Sequence, residues 1–190
     1  MTPLILASQS PRRKQLLSWA EISFEVRVKP TDELFPETLT PAEASVYVAR
    51  QKALAIAESA LPQQMILAAD TMVVLGDRII GKPVDRNDAI NILSDLSGRE
   101  HEVITGVVLL RDQQEWSFYD STRVRFHDIS HGDIVYYVDK YQPFDKAGAY
   151  AIQEWIGVVG IHSVNGDFYN VMGLPVSRVL QLIRQVQMTG

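Results

Sequence analysis

The 190-residue chain is 46% hydrophobic and 22% charged, ordinary for a soluble globular protein and enough to bury a sizeable core as one domain, with room for two lobes. A net charge of −5 argues against a duplex nucleic acid partner, so phosphate recognition must come from a local basic cluster, which favours a small phosphorylated ligand over a polymer. The lack of cysteine excludes disulfides, thiolate catalysis and Cys-type zinc sites, and no apolar run nears the roughly 20 residues of a membrane-spanning helix.

Residues 4–7 read as a short buried strand. Ser8-Gln9-Ser10-Pro11-Arg12-Arg13 follows and opens a helix over residues 11–20, with Ser10 as N-cap and Pro11 at the first helical position. Arg12 and Arg13 oppose the helix dipole there. A helix start with orphan N–H groups, two serines and two arginines suits a phosphate. The same pattern also fits a surface helix whose basic residues fall early.

Residues 24–28 read as a second strand, and 30–39 as a polar, acidic loop containing Asp32, Glu33 and Glu37. Thr40-Pro41-Ala42-Glu43 is a capping box, and the helix it opens should run to about residue 60. Ala44, Val48 and Ala55 mark its inward stripe. Lys52, four residues past Val48, either carries its ammonium outward to solvent or points it into a site.

Residues 65–69 read as a buried strand, and 72–75 with 78–80 as a hairpin about Gly76-Asp77. Asp70 follows five apolar residues, a costly place for a carboxylate unless it is paired, hydrogen-bonded or metal-bound. It is a strand-end cap, a buried ion pair or a functional group. Lys82 sits in the rigid turn Gly81-Lys82-Pro83, as a surface lysine or a ligand-binding one. Asp85 caps a helix to Leu96, with Gly98 at its left-handed end. Residues 101–111 and 116–126 are long strands, and Ser130 with Asp133 starts a helix ended by Pro143. Residues 145–153 fit a loop entering a buried segment, where Gln153 has the donors and acceptor to read a base edge. Residues 157–164 read as a strand, Asn165-Gly166 as a turn, and 174–187 as a closing helix with Pro175 near its start.

Strands mixed with helices and hairpins imply an α/β or α+β fold with a mixed sheet. Leu4-Ile5-Leu6-Ala7-Ser8 and Ile66-Leu67-Ala68-Ala69-Asp70 echo one another. If their strands are neighbours, Ser8, the arginine turn, Asp70 and Thr71 converge. His101, His127, His131 and His162 lack metal-ligand spacing, and neither a phosphate-binding glycine loop nor a G-x-S-x-G elbow is present. Carboxylates with lysine and arginine remain, the inventory for metal-assisted attack on a phosphate chain.

Six segments, taken in order, resemble the Maf family of nucleoside triphosphate pyrophosphatases. They are Ser8-Gln9-Ser10-Pro11-Arg12-Arg13, Ala69-Asp70-Thr71, Gly81-Lys82-Pro83, Leu96-Ser97-Gly98-Arg99-Glu100-His101 with Thr105-Gly106, Asp145-Lys146-Ala147-Gly148-Ala149-Tyr150, and Asn170-Val171-Met172-Gly173-Leu174-Pro175. The resemblance spans nearly the whole chain. It implies a single domain over residues 1–190 with an elongated, two-lobed α/β fold, its central mixed β-sheet flanked by helices as in other house-cleaning NTP pyrophosphatases. It further implies hydrolysis between the α and β phosphates, a divalent cation (Mg²⁺, Mn²⁺ or Co²⁺) and a homodimer. Carried over by motif, Asp70 is the proton acceptor that activates water and, with Glu33, a metal ligand. Arg12, Thr71 and Gln153 set base preference, while Ser8, Arg13, Lys52 and Lys82 hold phosphates. The combination of Arg12, Thr71 and Ile152-Gln153 resembles the branch acting on dTTP and UTP rather than the one acting on 7-methyl-GTP. Two alternatives stand beside it: a pyrophosphatase for 7-methyl-GTP or noncanonical purine triphosphates, and a non-catalytic nucleotide-binding regulator of septum formation. With no signal peptide pattern at the N-terminus, a cytoplasmic protein with no membrane or nucleic acid partner is expected.

Overall fold

Short apolar runs punctuated by polar turns give seven strands and seven α-helices among residues 3–188, the part of the chain described by this computed structural model. The strands are β1 (Leu4–Leu6), β2 (Phe24–Val26), β3 (Met65–Leu75), β4 (Arg78–Ile80), β5 (Glu100–Arg111), β6 (Gln114–Phe126) and β7 (Ile161–Asn165). The helices are α1 (Pro11–Trp19), α2 (Pro41–Ala57), α3 (Arg86–Leu96), α4 (His131–Tyr141), α5 (Trp155–Gly160), α6 (Phe168–Met172) and α7 (Val176–Met188). The strands follow the order β2-β1-β3-β5-β6-β7, with β4 paired to β3. β1 is parallel to both β2 and β3, whereas the β3–β4 and β6–β7 pairs are antiparallel. The fold is therefore α/β, a mixed sheet flanked by helices. Among the described residues no helix is long and apolar enough to cross a membrane.

The chain divides into two compact units. The first holds the described residues up to Thr71, then Thr105–Asp120 and the residues from Gly173 onward; the second holds Met72–Ile104 and Ser121–Met172.

In the first unit, Ile5, Ala7, Ala49, Ala53, Ile56, Ile66, Ala68, Val108 and Leu110 form one buried cluster. Ile5 and Ile56 each contribute roughly 1.5–3 kcal/mol by leaving water. Helix α2 starts on the expected capping box: the Thr40 hydroxyl accepts from the Glu43 N–H at 3.3 Å, and the Glu43 carboxylate accepts from the Thr40 N–H at 2.9 Å. Its buried stripe is Ala44, Ser45, Val48, Ala49, Ala53 and Ile56. Ala55, expected inward, is only half-buried. Small residues on this stripe match Gly106 on β5, where a Cβ would lie 2.3 Å from backbone atoms of Ser45 and Val46. Only glycine lets the helix approach the strand that closely.

In the second unit, the end of β3 pairs with β4 through Val73 and Ile80. Helix α3 is capped by Asp85, which accepts from the Asp88 N–H at 2.8 Å, and α4 is capped by Ser130. His101, Phe126 and Tyr150 pack with ring centroids 5.1–5.4 Å apart, and His101 Nε2 lies 2.8 Å from the Tyr150 hydroxyl. His101 Nδ1 is buried and has no hydrogen-bond partner among the described residues. Burial pulls the His101 pKa from its ordinary 6.5 down to about 4 and pushes that of Tyr150 up, so both groups are neutral. An unfolded chain takes up this proton near pH 6.5, the folded one only near pH 4. The unfolded state thus holds more protons in that window, and stability falls as the pH drops through it. In chemical denaturation, the wild type should lose about 3 kcal/mol more than His101→Gln between pH 7 and pH 4. Equal losses would show that His101 takes up its proton as readily in the fold as in the unfolded chain.

Three local expectations differ from the structure. Residues 65–75 form one continuous strand, so Asp70 and Thr71 lie within β3 rather than beyond its end. Both polar side chains have partners, which lets the extended backbone run through them. Residues 157–160 are helical, because the N–H groups of Gly157 and Val158 both donate to the Glu154 carbonyl and Gly157 turns tightly against Ile152; the strand starts only at Ile161. The closing helix begins at Val176, after Pro175. The 3₁₀ turn Ala147–Ala149 and helix α6 were too short to leave a period in the sequence.

Candidate active site

Parallel pairing aligns Ile5 with Ile66 and Leu6 with Leu67, bringing the end of β1 beside the centre of β3. The Ser8 hydroxyl, just past β1, accepts from the Ser10 N–H at 3.2 Å and from Arg13 Nη1 at 3.1 Å. Ser10 caps α1 as expected, though its bond to the Arg13 N–H is long at 3.5 Å. The Arg13 side chain turns inward from the helix start. Its Nε donates to the Gly173 carbonyl at 2.8 Å, and its Nη2 donates to the Thr71 hydroxyl at 3.0 Å. Thr71 Oγ1 also lies 2.9 Å from Thr105 Oγ1. Of the convergence expected of Ser8, the arginine turn, Asp70 and Thr71, the structure joins Ser8, Arg13 and Thr71 by hydrogen bonds, while Asp70 bonds Lys52. Burial lowers the Arg13 pKa, an effect opposed by the charges of Asp70 and Glu33 and reinforced by Arg12. Arg13 stays a cation, since arginine begins so far above neutrality. Gly173 has φ +114, a conformation that side-chain-bearing residues rarely adopt, and so glycine there presents the carbonyl to Arg13 without strain.

Lys52 does not carry its ammonium outward. Its Nζ donates to Asp70 Oδ1 and to Glu33 Oε1, both at 2.7 Å. The side chains of Lys52 and Asp70 are 16% and 14% exposed, against 48% for Glu33, so the Lys52–Asp70 bond is the better shielded of the two. Charge-assisted bonds strengthen as water is excluded, whereas an exposed pair contributes about 0–1 kcal/mol. One ammonium thus bridges a loop carboxylate and a strand carboxylate.

Among the described residues no group of three or more His, Cys, Asp or Glu could hold a metal ion. The two carboxylates are nevertheless hard oxygen donors close enough together to meet one ammonium. Mg²⁺ is usually held by one or two carboxylates, with waters and substrate phosphates completing its shell. The donor set fits such a cation.

Arg12 is half-buried on α1 in the first unit. Lys82, in the turn after β4, and Gln153, just before α5, are exposed and belong to the second unit. In the sequence Thr105 and Gly173 stand out only as parts of motifs, yet one meets the Thr71 hydroxyl and the other holds Arg13. The signal for Gly173 was its glycine between two apolar residues. Thr105 offered only a polar residue within the buried, otherwise apolar run of residues 103–110 in β5.

The family model described as Maf-like protein matches residues 3–186. A dTTP/UTP pyrophosphatase of Bacteroides fragilis is 44% identical over 184 residues, covering 96% of this chain and 95% of that protein. Those of Bacteroides thetaiotaomicron and Cytophaga hutchinsonii are each 46% identical, covering 93% and 97% of this chain and 92% and 84% of theirs. Among solved structures, the Staphylococcus aureus Ham1 protein matches at 15% identity and TM-score 0.42, covering 67% of this chain and 73% of that one, a likeness too slight to bear on activity.

Proposed function

The chain belongs to the Maf family, and from that premise we propose that it is a nucleoside triphosphate pyrophosphatase acting on dTTP and UTP. Hydrolysis between the α and β phosphates yields the nucleoside monophosphate and pyrophosphate. The role is house-cleaning, extending to modified pyrimidine triphosphates. The observation that carries the chemistry is Lys52, whose ammonium bridges Glu33 and Asp70 in the same unit as the buried Arg13. The near full-length relatives named for dTTP and UTP support the pyrimidine preference.

A triphosphate repels an incoming nucleophile by its own negative charge. Arg13, Lys52 and Lys82 supply the opposing charge, in fixed positions where pinned by the protein. The Ser8 oxygen already accepts two N–H bonds, so its own proton is directed to a phosphate oxygen. Asp70 orients the attacking water and takes its proton onto a carboxylate oxygen. Glu33 and Asp70 would hold a divalent cation, Mg²⁺, Mn²⁺ or Co²⁺, which supplies further charge neutralisation and a more acidic water. Arg12, Thr71 and Gln153 read the base, with the Thr71 hydroxyl also accepting from Arg13 and lying beside that of Thr105. A homodimer and a cytoplasmic setting complete this reading.

A nucleotide panel with Mg²⁺ or Mn²⁺, with both products identified, tests it. dTTP and UTP should exceed dCTP, dITP and 7-methyl-GTP in kcat/KM by at least about tenfold, with pyrophosphate released. Preference for a purine would support the alternative branch. Binding without metal-dependent hydrolysis would support the regulator.

A further inference from the structure

Gln153 is exposed, yet the chain on both sides of it is fixed by one buried phenol. Tyr137 lies on α4 with no exposed surface. Its hydroxyl accepts from the Ala151 N–H at 3.1 Å and donates to the Glu154 carboxylate. Ala151 is two residues before Gln153 and Glu154 is the next residue after it. The other Glu154 oxygen lies 3.8 Å from Nζ of Lys146, a buried ammonium that also donates to Asp145 at 2.7 Å. The Glu154 N–H returns to the Ala151 carbonyl at 3.0 Å, closing the turn that carries Ile152 and Gln153. Gly157 packs so closely on the Ile152 carbonyl that a Cβ would sit 1.7 Å from its oxygen. The ring of Tyr137 stacks on Tyr141 at 5.0 Å, which fixes where its hydroxyl can reach.

A side chain that discriminates bases by hydrogen bonds must be held within a fraction of an ångström, since a loosened partner bonds right and wrong bases alike. One backbone anchor at Ala151 and one side-chain anchor at Glu154, both from one rigid ring, meet that need without touching the base. We propose that Tyr137 is a positioning residue for base selection, acting through Ala151 and Glu154 to fix the presentation of Gln153. The inference rests on the reading of Gln153 as a base reader.

The test is a double-mutant cycle of Tyr137→Phe and Gln153→Ala, read as the ratio of kcat/KM for dTTP over dCTP. Tyr137→Phe alone should lower that ratio roughly five- to tenfold, through KM for dTTP rather than kcat. In the Gln153→Ala background it should lower the ratio no further. Glu154→Ala, at a half-buried position, repeats the cycle if Tyr137→Phe fails to fold. An additive effect, or a ratio unchanged by either variant while Gln153→Ala lowers it, overturns the role of Tyr137. A ratio unchanged by Gln153→Ala itself overturns the base-reading assignment, and the role of Tyr137 with it.

Discussion

Asp70→Asn should cut kcat by ~10²–10⁴-fold while the protein still folds. An asparagine carbonyl keeps an acceptor for Lys52, and Glu33 still holds the other side of that ammonium, so the local framework survives. What is lost is the carboxylate that takes the proton of the attacking water. Half of the divalent-cation donor set loses its charge as well. Pyrophosphate release at saturating dTTP measures turnover, and a thermal melt measures folding. A folded Asp70→Asn protein that turns over at the wild-type rate would sink the role assigned to Asp70.

Arg13→Ala carries the second large effect, and it falls on stability as well as turnover. From sequence, Arg13 reads as a phosphate holder whose loss lowers overall activity. The structure gives it a second task, because three of its five N–H donors are spent on Gly173, Ser8 and Thr71. Removing the side chain leaves the Gly173 carbonyl only the long 3.5 Å bond from Thr71, takes one of two partners from the Ser8 and Thr71 hydroxyls, and opens a void. A buried polar group so stranded costs about 1–3 kcal/mol, and with the void and the weakened hydroxyl bonds the sum should reach roughly 3–5 kcal/mol. For a chain of this length that lowers Tm by roughly 10 °C. Arg13→Lys should recover little, since one ammonium cannot span three acceptors set in a planar fork. Arg12→Ala is the control: its melt should stay near the wild type while its dTTP preference weakens. Equal melting of Arg12→Ala and Arg13→Ala would overturn the distinction.

Much of this was legible because it is local or periodic. The Thr40 capping box announces α2 within four residues, and the apolar runs at 4–7 and 66–69 announce two strands able to lie side by side. The cost of a carboxylate at Asp70 is likewise visible from its neighbours alone. Long-range choices were not legible. Lys52 could have pointed to solvent, and what turns it inward is two carboxylates 19 and 18 positions back and ahead of it. The partner of Arg13 Nε is a backbone carbonyl 160 residues away, which no local pattern encodes. Residues 157–160 failed differently. Their apolar composition suits a strand, but the close approach of Gly157 to Ile152 curls the chain into a helical turn first.

Gly106 is in effect a height gauge for the site. With nothing but hydrogen on its α-carbon, β5 lets α2 settle onto its backbone at Ser45 and Val46, about two turns before Lys52. That seating depth sets how far the Lys52 ammonium reaches towards Asp70 and Glu33. A β-branched residue at position 106 would suit a strand better by intrinsic preference. It would also raise the helix, and a displacement of about 1 Å far from the chemistry is enough to spoil catalytic alignment. The weakest strand former in β5 is therefore the one that the geometry of catalysis requires.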